Sequence, residues 1–300
     1  MENAMKKIIS LISVLLITLS LLCVGASADM GPKPSVNVTF PRADGNFYVT
    51  LLSKTASTGP YSADHLDDII NSYSDAAAKS AFRKFAAYED EDGFFFLGAM
   101  SYLDIGDETY RWGYYPPHTF KILIYFPGTD TFAVSPVLER YAFSSYFKAT
   151  VNGNGVTAEA TALSAEKNYN YTREILLFVS RLALTIAIEI AVAALFGFFK
   201  GKYRKTVLTV NIVTQVLLNV TLNIFDYYSG WLSVIFIYVL CELAIFVIEG
   251  VIYGIVFPKC ASDGETPVRA WKAWLYSLAA NAASFLVGVC IWRIDIALMS

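Results

Sequence analysis

Apolar residues are arranged in two different ways along this chain. Up to about Asn170 they come in short runs, often alternating with polar residues and broken by Gly, Pro, Asp and Asn. Beyond it they come in four long stretches, Ile175–Phe199, Thr206–Phe225, Leu232–Phe257 and Ala273–Trp292. A hydrocarbon core about 30 Å thick takes roughly 20 apolar residues of helix, so each stretch predicts a membrane span. Short alternating runs predict strands instead. The chain therefore divides into an N-terminal strand-rich domain (29–170) and a four-helix membrane domain (171–300).

In the first part, Val36–Phe40, Phe47–Ser53, Gly93–Tyr102, Thr109–Tyr114, Thr119–Phe126, Thr131–Ser135, Tyr146–Val151 and Gly155–Leu163 read as strands. Ala43-Asp44-Gly45-Asn46 reads as a hairpin turn between the first two, because Asp-Gly suits the positive φ of such turns. Pro116-Pro117 and Pro127-Gly128 punctuate the later runs. A helical period, Ile69, Ile70, Tyr73, Ala77, Phe82 and Phe85 within Ser62–Tyr88, interrupts the strands. The expected fold is a β-sandwich-like domain with a helical insertion, or an α+β domain, followed by an α-helical four-span bundle.

The long stretches carry polar residues at matched positions. A charge at a helix centre costs about 2.5–3.5 kcal/mol on insertion scales, so such groups turn toward a bundle interior. At about 1.5 Å of rise per residue, Glu189, Gln215, Glu249 and Asn281 fall at nearly one depth, one from each span. Glu242 and Asn219 form a second level, with Arg181 beyond them. Glu242 and Glu249, seven residues apart, share a helix face, and Asn211, Gln215, Asn219 and Asn223 form an amide stripe. Ser277, Asn281, Ser284 and Gly288 make a small, polar seam suited to close packing. These seven residues, Glu189, Gln215, Glu249, Asn281, Glu242, Asn219 and Arg181, are expected to form one intramembrane polar cluster.

Charge sets a topology. Lys6 and Lys7, the apolar Ile8–Val24 and Ala26-Ser27-Ala28 predict a signal peptide over 1–28, cleaved before Asp29. Leu22, preceding Cys23, argues against lipid attachment there. Cleavage places the strand-rich domain outside. Lys200, Lys202, Arg204 and Lys205 follow the first span, and Lys259, Arg269 and Lys272 follow the third. Asp226–Trp231, after the second, has no Lys or Arg. This asymmetry places both basic connections in the cytoplasm, giving a multi-pass plasma-membrane protein with its large domain extracytoplasmic. Trp231, Trp271, Trp274 and Trp292 fall where interfacial rings are favoured.

Composition removes several chemistries. A net charge of −3 offers no basic patch for nucleic acid. Four cysteines, none of them between Asp29 and Asn170, exclude a disulfide framework in that domain. Glu89-Asp90-Glu91-Asp92-Gly93 fails the calcium-loop spacing and reads as an acidic turn. His65 and His118 are the only histidines and lie in separate elements, so no metal ligand set and no cofactor site is expected, and with no histidine in the membrane stretches a Ser–His pair is excluded there. Trp112-Gly113-Tyr114-Tyr115-Pro116-Pro117 reads as aromatic core for the most part.

Met30-Gly31-Pro32-Lys33-Pro34-Ser35-Val36, Tyr48–Pro60 (YVTLLSKTASTGP) and Tyr114–Pro127 (YYPPHTFKILIYFP) resemble a family of uncharacterised bacterial exported membrane proteins. The resemblance implies one extracytoplasmic domain joined to about four membrane helices, and no activity or catalytic residue.

Two functions follow as expectations. One is a non-enzymatic envelope protein whose external domain binds or senses a ligand or partner and whose polar-cored bundle is the anchor. Its partners would be the lipid bilayer, an extracellular ligand, and another membrane protein or a second copy. The other is a proton- or cation-coupled permeation unit using the intramembrane glutamates.

Overall fold

The computed structural model describes residues 31–41, 43, 45–104, 106, 108–151, 156–158, 161–261 and 266–299, with side chains in the last helix described to Val289. The expected signal segment, with Cys23, lies outside the described residues. Two compact units result, Pro32–Tyr169 and the helices that begin at Asn170.

Strands β1 (Ser35–Thr39), β2 (Phe47–Ser53), β3 (Ser57–Thr58) and β4 (Tyr61–Ser62) open the first unit, followed by α1 (Leu66–Ile70) and α2 (Ala76–Ala86). Strands β5 (Ser101–Leu103), β6 (Thr109–Trp112), β7 (Thr119–Phe126), β8 (Thr131–Val134), β9 (Leu138–Glu139), β10 (Ser144–Thr150) and β11 (Ser164–Lys167) complete it. One sheet runs β11-β10-β1-β6, and a second runs β5-β2-β7-β8 with β9 also on β7. The β1–β10 pair is parallel, with Val36 opposite Ser145.

Val36, Val38, Trp112 and Phe147 from the first sheet meet Phe47, Val49, Leu51, Ile122 and Ile124 from the second in one core. The other face of the second sheet, carrying Tyr48, Leu52, Leu123 and Tyr125, lies under Phe82, Phe85, Phe94 and Phe96. The domain is thus a strand sandwich with a helical layer on one side. Coverage of both faces explains why β2 is buried throughout and why β7 reads as nearly unbroken apolar sequence rather than alternation.

Several expectations need correcting. β1 and β2 do not form a hairpin: β1 pairs with β10 and β6, whereas both edges of β2 are taken by β5 and β7. Asp44 of the expected turn is outside the described residues. Of the expected 93–102 strand only Ser101 and Tyr102 lie in one, β5, apart from a bridge between Phe95 and Ser53. Gly93 and Gly98 adopt φ of 72° and 82°, and Gly98 supports Ile69 of α1 so closely that a Cβ would collide with it. The 155–163 strand is displaced to β11, which pairs with β10. The helical region divides after Ile70, because Asp75 caps a new start by accepting from the Ala78 amide at 2.8 Å. Of the aromatic cluster, Trp112 is core and bonds the Tyr114 carbonyl, whereas Tyr114 is exposed.

The acidic run does more than turn the chain. Asp90 is buried and receives Lys121 of β7 at 2.8 Å, and Asp92 receives the same ammonium at 2.6 Å. Asp90 also accepts from the Asp92 and Phe94 amides. Desolvation pulls the Lys121 pKa down, but its hydrogen bonds to Asp90 and Asp92 prevail and hold it above 10.5. The Lys121 hydrogen bond likewise holds Asp92 below 3.8, and the Lys84 hydrogen bond does the same for Asp130.

The second unit holds α3 (Tyr171–Leu195), α4 (Gly201–Ser229), α5 (Trp231–Val256) and α6 (Ala270–Met299). Neighbours in space are α3–α4, α4–α5, α5–α6 and α6–α3, a four-cornered arrangement. Asn170 caps α3 by accepting from the Arg173 amide at 2.9 Å, and Gly197, at φ 77°, turns the chain after it. Gly230, also at φ 77°, is the whole link between α4 and α5 and forces them antiparallel. Among the described residues three helices, α3, α4 and α5 with its 3-10 extension to Lys259, are long and apolar enough to cross a membrane. The first expected span stops earlier than Phe199, at Leu195, and the second runs on to Ser229.

Replacing Lys121 by Met leaves Asp90 buried without its cation. The expected cost is about 3–5 kcal/mol, read as lost hydrogen-exchange protection in β2 and β7 of the full chain. Because Asp92 and Asp130 are depressed, their contribution is present above pH 3.8 and is lost as pH falls below it. Lys121 contributes below pH 10.5 and loses its share as pH rises beyond its elevated folded value. The midpoint of thermal unfolding of this domain, followed by near-UV circular dichroism from about pH 2 to about pH 12, should therefore decline at both ends.

Candidate functional site

The polar residues of α3, α4, α5 and α6 meet inside the helical unit. Glu189 and Glu249 are fully buried, and Gln215, Asn281, Asn219 and Glu242 nearly so. Glu249 accepts the Thr214 hydroxyl on Oε1 and the Asn281 amide on Oε2, each at 2.8 Å. Three helices, α4, α5 and α6, are thereby joined through one carboxyl group. Gln215 donates to Glu189 Oε1 at 3.4 Å, bringing in α3. Tyr253 donates to Asn211 Oδ1 at 2.6 Å, and Ser277 to the Phe246 carbonyl at 3.0 Å. Glu189 also lies within electrostatic reach of Glu249 and Glu242.

Local sequence accounts for this convergence. Asn211, Gln215 and Asn219 recur every four residues and project from one face of α4; Asn219 steadies it by donating to the Gln215 carbonyl at 2.9 Å. The seven-residue spacing of Glu242 and Glu249 puts both on the inner face of α5. Gly250 and Gly254 let the Trp274 ring lie against α5, and a Cβ on Gly250 would run into that ring. Trp274 thus packs between helices, while Trp231 and Trp271 are exposed.

At the same end as the basic connections, Phe198, Tyr203, Tyr253, Phe257 and Tyr276 form an aromatic cluster, with Phe198 and Phe257 centred 4.6 Å apart. Lys272 lies over the Phe198 ring at 5.3 Å. Both basic connections thus lie at one end of the helical unit.

Toward the other end is a cavity of about 190 Å³. Arg181, Gln215, Asn219 and Glu242 line it with apolar side chains from all four helices, including Leu218, Val239 and Phe285. The expected cluster is therefore two connected places: a hydrogen-bonded node at Glu189, Gln215, Glu249 and Asn281, and a cavity at Glu242, Asn219 and Arg181. Gln215 belongs to both. Among the described residues Glu242 Oε2 and Glu189 Oε2 have no hydrogen-bond partner. Thr214 and Tyr253 were not anticipated; their hydroxyls gave no signal against the apolar background, although Thr214 adjoins Gln215 on the amide face.

In the strand-rich unit, His65 is exposed beside Asp68, and His118 is exposed in a loop. Among the described residues no three His, Cys, Asp or Glu side chains form a metal-binding group.

Removing the Glu249 donors should loosen the bundle. Thr214→Val and Asn281→Ala are each expected to cost about 1–2 kcal/mol, the upper part of the range for interhelical hydrogen bonds in membranes. Leu286→Ala, on an exposed face, should change little. Thermal unfolding in detergent checks this order. Gly250→Leu should lower the same melting temperature more than Gly254→Ala, because only the first drives a side chain into the Trp274 ring.

Compared with known proteins, the chain matches no family model, no curated protein and no solved structure.

Proposed function

We propose that this chain is a non-enzymatic cell-envelope membrane protein whose strand-rich domain binds or senses an envelope ligand or partner while the helical unit anchors it. The observation that carries this reading is the engagement of both Glu249 oxygens by Thr214 and Asn281. A carboxyl group held by donors on two neighbouring helices cross-links the unit and requires neither titration nor passage of an ion to explain it. The anchor has four spans in this proposal: α6 joins the three apolar helices through its Ser277–Asn281 seam.

The strand-rich domain lies outside the plasma membrane in this reading. Its support is the charge asymmetry of the connections, with Lys200, Lys202, Arg204 and Lys205 at one end and a single glycine between α4 and α5 at the other. The bilayer is one partner, and a second copy or another membrane protein would pass on any signal. Nucleic acid is not a partner.

A second reading, proton- or cation-coupled permeation, draws on Glu189 Oε2 and Glu242 Oε2, which meet no donor among the described residues. Two measurements separate these ideas. With native cysteines replaced, a cysteine at exposed Lys54 should react with an impermeant maleimide on intact cells, and one at exposed Lys202 only after permeabilisation. The reverse pattern overturns the topology. In proteoliposomes, the anchor reading expects no protein-dependent proton or cation flux; flux that is abolished by Glu189→Gln or Glu249→Gln supports permeation and overturns it.

A further inference from the structure

Opposite charges line the cavity of the helical unit without neutralising each other directly. Arg181 comes from α3 and Glu242 from α5, helices at opposite corners of the four-cornered arrangement. No direct ion pair joins them among the described residues, and Glu242 Oε2 has no hydrogen-bond partner although the residue is only 7% exposed. Asp226 and Tyr238 lie within electrostatic reach of Arg181, and Tyr238, also in the lining, is within reach of Glu242. The Gln215 and Asn219 amides share the lining, and the remaining wall is mostly aliphatic. At about 190 Å³ the space far exceeds the roughly 10–15 Å³ that one water needs on the same measure.

We infer that this cavity binds a zwitterion carrying a primary ammonium and a phosphate, the phosphoethanolamine unit, with the ammonium on Glu242 and the phosphate on Arg181. A guanidinium matches phosphate oxygens with paired donors, and an ammonium supplies the donor that Glu242 Oε2 lacks. A simple cation would satisfy Glu242 and leave the Arg181 guanidinium, which lines the same cavity, with no anion inside it; a simple anion would leave Glu242 Oε2 without a donor. A ligand bearing both charges satisfies both and enters with no net charge, which lowers the cost of leaving water. The aliphatic wall, with Leu184 and Val239 partly exposed at its margin, suits acyl chains attached to that headgroup. The inference goes beyond the anchoring role and does not depend on which side the strand-rich domain occupies.

The test uses the purified full chain in detergent micelles, with retention of added lipid read by native mass spectrometry. Phosphatidylethanolamine is expected to be retained at least fivefold over phosphatidylglycerol, which lacks the ammonium, and over phosphatidylcholine, whose ammonium has no N–H to donate. Glu242→Gln and Arg181→Gln should each abolish that preference, while Glu189→Gln, outside the cavity, should keep it. Glycerophosphoethanolamine, a phosphodiester with the same two charges and no acyl chains, distinguishes the source: competition at equal concentration identifies a free zwitterion as the ligand, and failure to compete identifies the lipid. Equal retention of the three lipids by the wild-type chain overturns the inference whatever the variants do. So does an unchanged preference in both cavity variants.

Discussion

A carboxyl group among hydrocarbon chains must take its hydrogen bonds from the protein, because no other donor is at hand. That constraint organises the helical unit. Glu249 cannot face lipid without heavy cost, so α4 and α6 must present Thr214 and Asn281 to it. The same demand draws Glu189 to Gln215 and hence α3 to α4. Apolar contact between helices has little directional preference in a membrane, where lipid tails are as apolar as leucine. Polar contacts therefore set which faces meet and at what register, and the glycines at 250 and 254 allow the approach.

The strand-rich unit obeys the same rule with a different solution. Lys121 stands in a strand covered on both faces, where an ammonium would be costly alone. The chain answers with Asp90 and Asp92, supplied by the segment that also carries Phe94 and Phe96 into the outer layer. The ion pair and the aromatic layer thus position one another. An acidic run that looks like solvated surface is in fact the fastening of the helical layer to the sheet.

The two places within the bundle differ in how far this demand is met. At Glu249 both oxygens are engaged, which makes the node a fastening. At Glu242 one oxygen is not, and an arginine stands across an apolar space from it. Completion there calls for a charged or dipolar group from elsewhere. This contrast, rather than the mere presence of intramembrane carboxylates, separates scaffold from binding site.

Much was legible in residue order alone: the division near residue 170, the helical stretches, and strands β2 and β7 to the residue. The inward set Glu189, Gln215, Glu249, Asn281, Glu242 and Asn219 was legible too, since periodicity and the cost of burying charge are local properties. Tertiary structure decided the rest. Which strand pairs with which depends on competition among distant edges, so the Asp-Gly turn could not reveal that β1 would leave β2 for β10 and β6. Glycine conformations and the packing of α1 replaced an expected strand before β5. Whether Arg181 would neutralise Glu242 or merely share a cavity with it depended on helix placement across the bundle, because two charges on opposite corners are brought together or held apart by packing that no local pattern encodes.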